Sequence, residues 1–154
     1  MDPDAITYYI TDTFAGVAVV DDSGNSFFFY DPGGPLPPDR RLPFATLVTG
    51  DNYDDFSNLN RPLVFRLNIG LSKETYQALF GAQTPPSGTH DEGERNDDFT
   101  ALDQIMPHPV YARQHWVCVL NPSATTFQGV RPLLAEAYDR AVERQVRVRQ
   151  GRDS

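Results

Sequence analysis

The chain has 154 residues, 40% of them apolar, with a net charge of −8, 13 prolines and one cysteine. That is enough for one domain with its own core, and it excludes a disulfide-stapled fold, because Cys118 has no internal partner. An acidic body also argues against nucleic acid or an anionic membrane surface as a partner.

No stretch has the length and apolarity of a membrane span, and the first residues lack the basic start of a signal peptide. A reducing cytoplasm is the expected location. The charge is unevenly spread. Residues 140–152 hold Arg140, Arg144, Arg147, Arg149 and Arg152 against Glu143, which is +4 and leaves −12 on the remainder. Cations near a helix C-terminus favour the helix dipole; a phosphate contact by the same arginines is the alternative.

In chain order, Asp2-Pro3-Asp4 is a helix start: a capping acid, Pro at the first helical position, then another acid. Ile6, Tyr9, Ile10 and Phe14 give that helix its buried side. Val17–Val20 and Ser26–Tyr30 flank a run with turn chemistry, Asp21 to Asn25, and predict a β-hairpin. Asp31 to Pro43 holds five prolines and two glycines, so it forms neither a helix nor a central strand. Phe44–Thr49 predicts a third strand and Leu63–Ile69 a fourth, with Leu63, Phe65, Leu67 and Ile69 on one face and Val64, Arg66 and Asn68 on the other. Ser72 caps a short helix whose apolar side is Tyr76, Leu79 and Phe80.

Residues 82–98 have no apolar periodicity and are expected to form a flexible acidic loop. Phe99, Leu102, Ile105 and Met106 then recur at helical spacing behind Asp98, and predict a helix stopped by Pro107. The strongest signal follows. Trp116 to Leu120 is a continuous apolar run of strand length. Asn121-Pro122-Ser123 breaks it, and Phe127, Val130, Leu133, Leu134, Ala137, Tyr138, Ala141 and Val142 mark one side of a long helix. Gly129 and Pro132 predict a kink or restart near its beginning. The sum is one α+β domain over 1–148: a single antiparallel sheet of about five strands with the first and last helices on one face. Residues 149–154 are expected to be a basic disordered tail.

Several strands are apolar on both faces, Phe27-Phe28-Phe29-Tyr30 and Trp116 to Leu120 most clearly. One layer of helices cannot cover both, so loops, a ligand or a second subunit must shelter the other face. Arg66 and Asn68 interrupt that face. Arg66 is expected to form an internal ion pair with an aspartate, or alternatively to be an anion-binding group at the floor of a pocket. Arg40-Arg41 is the one adjacent basic pair in the acidic body and could pair with Asp51, Asp54 or Asp55. His108, Tyr111, His115 and Trp116 cluster where the chain enters the main strand, a common place for binding residues. His108 and His115 are the weak catalytic candidates, as groups that titrate near neutrality. The three histidines lack metal-ligand spacing, and no nucleophile motif is present; neither a metal nor a cofactor is expected. Cys118, mid-strand, is expected to be an inert buried thiol.

The stretches FFFYDP, PPDRRLPFATLVT, RPLVFRLNIGLSKETY, DFTALDQIMPHPVYARQHWVCVLNPS and RPLLAEAYDRAV resemble a family of uncharacterised actinobacterial proteins, a domain of unknown function; no activity travels with that likeness. Trp116-Val117, Leu133-Leu134 and Ala137-Tyr138 more faintly resemble the MmcQ/YjbR proteins. That likeness implies a compact frataxin-like α+β layering, and for that family DNA binding has been suggested. The leading expectation is a binding or interaction module for a small anionic ligand or a protein, with a homodimer as one way to cover the second face. The alternatives are a small cofactor-free enzyme with a histidine acid/base and Arg66 as anion holder, and nucleic-acid binding through the basic C-terminal helix.

Overall fold

A computed structural model describes residues 1–32, 42–51, 54–81 and 98–152, the side chains of 148–152 excepted. The chain runs α1 (Pro3–Thr13), β1 (Val17–Asp22), β2 (Asn25–Tyr30), β3 (Ala45–Val48), β4 (Arg66–Gly70), α2 (Lys73–Phe80), β5 (Met106–Pro107), a 3-10 turn (Ala112–Gln114), β6 (Trp116–Leu120) and α3 (Ala124–Arg152). The strands form one antiparallel sheet in the order β1-β2-β3-β4-β6-β5. The α+β class and the single sheet are as the sequence implies; among the described residues the sheet has six strands, where about five are expected. Among the described residues no helix is long and apolar enough to cross a membrane. Arg40, Arg41 and the expected acidic loop up to residue 97 lie outside the described residues.

Local chemistry explains most boundaries. The Asp2 carboxylate accepts the Ala5 N–H at 2.8 Å, and Pro3 opens α1. The β1–β2 hairpin closes on Ser23 and Gly24, with φ of 55° and 85°, the positive pair that a tight hairpin turn needs to match strand twist. Asn25 Oδ1 accepts the Thr49 N–H at 2.8 Å and ties that turn to the end of β3. Ser72 caps α2 through the Thr75 N–H, and Glu136 of α3 accepts the Ser72 N–H and the Thr75 hydroxyl.

Four expectations are corrected. Phe99 to Met106 is not helical. Asp98 forms a side-chain turn with Thr100, Asp103 takes a positive φ and donates its N–H to Leu120 O, and the chain joins the sheet as β5. Over so few residues, apolar spacing cannot separate a helix from an irregular run that buries the same side chains. Leu63 does not face the core: it sits before β4 with a φ of 61° and is 94% exposed. Helix α3 does not restart at Pro132 but runs without interruption through Gly129 and Pro132. Pro132 lies on the exposed side beside exposed Gln128, so the carbonyl it leaves unpaired faces water, while Phe127, Val130, Leu134 and Ala137 bind both halves to the sheet. The helix also continues to Arg152, through most of the expected tail.

The register separates two faces. Phe28, Ala45, Ile69 and Val117 lie in one cross-strand row, with Leu47, Leu67 and Val119 in the next. All are buried with Ile6 and Ile10 of α1 and the apolar side of α3, so the first and last helices do share a face. The opposite face carries the row Phe27, Thr46, Asn68, Cys118 and Met106, then Val48, Arg66 and Leu120, then Gly70 beside Trp116.

Candidate functional site

The second face is sheltered in two different ways. At one end, Val48, Cys118, Leu120 and Met106 meet Leu59 in a small second core, with Val64 and Phe99 against it. The covering loop is held by Arg61, which donates to the carbonyls of Asn58, Ser57 and Thr100 at 2.9–3.1 Å. At the other end the described residues leave a recess of about 420 Å³. Phe27, Thr46, Val48, Arg66 and Asn68 of the sheet line it, together with His108, Tyr111 and Trp116. Leu42 and Pro43 stand at its edge.

Its floor is a buried ion pair. Arg66, 1% exposed, meets Asp54, 8% exposed, through two parallel hydrogen bonds of 3.0 and 2.6 Å. Arg66 also donates to Ser57 Oγ at 2.9 Å and to Asn68 Oδ1 at 3.0 Å, so four of its five N–H groups are engaged. Asn68 in turn donates to Thr46 Oγ1 at 2.9 Å. Burial alone would raise the Asp54 carboxyl, but the hydrogen bonds and charge of Arg66 outweigh it and hold the group below the ordinary carboxylate range. Arg66 is therefore the internal ion pair, and Asp54 cancels the charge an anionic ligand would seek at this floor.

His108 borders the recess as a neutral group. It is 3% exposed. Its Nδ1 accepts the backbone N–H of both Val110 and Tyr111 at 3.0 Å, so the proton sits on Nε2. Burial, then the nearby Arg66 charge, pushes its pKa down to about 3, against the opposing pull of Asp54. A base here would need the Nε2 lone pair free and a proton on Nδ1, aimed at two N–H donors. The ring is built to donate a hydrogen bond, not to accept a proton. The Tyr111 ring lies 5.0 Å from it, centroid to centroid.

His115 is elsewhere. It closes the 3-10 turn with a φ of 69°, and its ring packs edge-on against Tyr76 at 5.7 Å. The left-handed residue turns the chain immediately before β6, and strand alternation counted back from Trp116 does not reach it. Of the residues singled out from sequence, Arg66, Asn68, His108, Tyr111 and Trp116 come together, and His115 does not join them. Cys118 is buried, with its thiol 3.6 Å from Pro107 O. Among the described residues no group of His, Cys, Asp or Glu is placed to hold a metal ion.

Sequence reasoning missed Asp54 as the specific partner, Ser57 beside it, and Phe27 and Val48 as walls. The alternation of the Phe27 run carried that last signal, since Phe27 must face away from Phe28. Nothing local marks Asp54 among its neighbouring acids. Gly70 was also unremarked. The Trp116 indole lies flat over it, and a Cβ there would come within 2.9 Å of Trp116 Cε2, so only glycine leaves the ring its seat on the pocket wall.

Fold and site together define a small α+β domain whose sheet carries a helix-packed face and a loop-closed, pocketed one. A family model, described as a family of unknown function (DUF6194), matches residues 1–150, and the chain belongs to that family. No curated protein and no solved structure matches it significantly.

Proposed function

We propose that the protein is a binding module that takes a small, largely apolar molecule in the recess on the second face of its sheet. One observation carries this reading. The recess is walled mainly by rings and aliphatic side chains, while the charge at its floor is already neutralised. Such a site rewards apolar area with a few neutral donors for orientation, here the His108 Nε2–H and the Trp116 and Tyr111 side chains. At about 30 Å³ per water-sized group, 420 Å³ admits roughly a dozen non-hydrogen atoms.

Against the enzyme reading, His108 stays neutral with its Nδ1 committed to two backbone N–H groups, and His115, the other candidate base, is not among the residues that line the recess. Leu59, Val64 and Phe99 of the same chain cover part of the second face, so a homodimer would have only the remainder to shelter.

Trp116 is the single tryptophan and lines the recess, so its emission reports occupancy. Titration with 4-phenylbutan-1-ol, an uncharged ring-bearing probe, is expected to change that emission saturably. Val48→Phe, which fills the recess from its wall, is expected to weaken the response about tenfold or more. An absent response, or one that Val48→Phe leaves intact, rejects the reading.

A further inference from the structure

A second recess of about 300 Å³ adjoins the first, at the end of the sheet where β4 finishes and β6 begins. Trp116, Leu42 and Pro43 border both. Its far side is different in kind: Arg140 and Arg144 of α3 and Gln114 of the 3-10 turn.

The two arginines are four residues apart, so they stand side by side on one helix face, where like charges repel. Among the described residues neither makes an ion pair. Arg140 donates to the carbonyl of Leu71, which leaves most of its fork without a partner among the described residues. Glu136, four residues before Arg140, and Glu143, three after it, lie on its side of the helix, but among the described residues neither reaches ion-pair distance of either arginine; Glu136 instead accepts from Ser72 and Thr75 at the start of α2. Burial, then the charges of Arg140 and Arg147, disfavours the charged form of Arg144. The helix dipole does not account for the pair, because its effect is confined to the last turn and α3 ends at Arg152.

We propose that Arg140 and Arg144, with Gln114, form an anion subsite beside the apolar recess, so that the bound molecule is an amphipathic acid. Its ring or short chain lies against Trp116 in the first recess, and its carboxylate or phosphate lies against the two guanidinium groups in the second. This rests on the apolar-pocket reading and adds the class of ligand. Arginine forks match a pair of oxygens on either anion.

The test compares three probes with one apolar body, 4-phenylbutanoate, 4-phenylbutyl phosphate and 4-phenylbutan-1-ol, titrated against Trp116 emission in the intact protein. At least one acid is expected to bind about tenfold or more tighter than the alcohol, and whichever acid does so identifies the head group. Arg144→Gln, which leaves the Arg140–Leu71 bond in place, is expected to remove most of that preference without changing alcohol affinity. Arg140→Gln/Arg144→Gln is expected to remove the rest, with retained folding checked by thermal melt. Equal binding of acids and alcohol overturns the anion subsite and leaves the apolar pocket standing. Acid preference that survives the double substitution also overturns it. Failure of all three probes to bind overturns both readings.

Discussion

The two faces of one sheet solve the same problem with different materials. On the first face, regular elements meet: α1 and α3 lay apolar sides on Leu47, Leu67, Ile69, Val117 and Val119, and the layer between them is buried hydrocarbon. On the second, the cover is a loop pinned by Arg61 to three carbonyls, and a charged pair lies where the first face has hydrocarbon. A helix side can be matched to a sheet row by row. An irregular loop cannot, so it leaves volume unfilled and binds through polar contacts instead. Among the described residues, the 420 Å³ recess lies on the loop-covered face and not on the helix-covered one.

This contrast breaks hardest at Arg66. Arg66→Met leaves Asp54 buried without a partner and is expected to cost about 3–5 kcal/mol. Arg66→Met combined with Asp54→Leu is expected to recover most of that loss, since a well-packed apolar pair replaces a buried ion pair at little cost. Chemical denaturation of the three proteins measures both. A double variant no more stable than Arg66→Met would mean that the polar floor is required by the fold rather than merely tolerated.

Acid should sharpen the contrast next. His108 is neutral in the folded protein down to about pH 3, whereas in the unfolded chain it takes up a proton near its ordinary 6.5. Between those values the unfolded state holds the extra proton. Stability is therefore complete above the unfolded value and falls as pH drops, by about 1.4 kcal/mol per pH unit for this one group. The lowered carboxyl of Asp54 acts in the same sense further down: its contribution is present above 3.8 and lost as pH falls through its folded value. Denaturation midpoints across this range should show that slope in the native protein and a flatter one in His108→Gln. Leu134→Ala, on the first face, should lower stability at every pH by about 2–5 kcal/mol and leave the slope unchanged. A His108→Gln slope equal to the parent's would assign the pH dependence to other groups.

The smallest effect is expected at Gly70. The Cβ of Gly70→Ala meets the indole at 2.9 Å, so the ring must lift, at about 1–3 kcal/mol. Trp116 emission should shift and probe binding should weaken, with the first-face core untouched. Unaltered emission would show that the indole does not depend on its bare seat.

Much of the molecule was legible in the chain itself. The strand–helix run of Trp116 to Val142, the capped helix at Asp2 and the hairpin at Ser23-Gly24 are local consequences of side-chain period and turn chemistry, which act over a few residues. So is the face assignment of Arg66 and Asn68, because strand alternation allows no other. What local patterns carried poorly were the places where tertiary contacts compensate a local defect. Pro132 does not break α3, because buried neighbours on both sides anchor it. Residues 99–106 abandon helical spacing, because the edge of β6 offers hydrogen bonds they can take.

The sequence by itself determined that this is an α+β domain with a sheet too apolar for one layer of helices, and that Arg66 and Asn68 share one face of a strand. Only the tertiary structure decided that Asp54 takes the Arg66 charge, that His108 is held as a donor, that His115 leaves the site and that Arg140 and Arg144 stand beside Trp116. The reason is range: periodicity assigns a residue to a face, but which groups meet on that face depends on how loops distant in sequence fold over it.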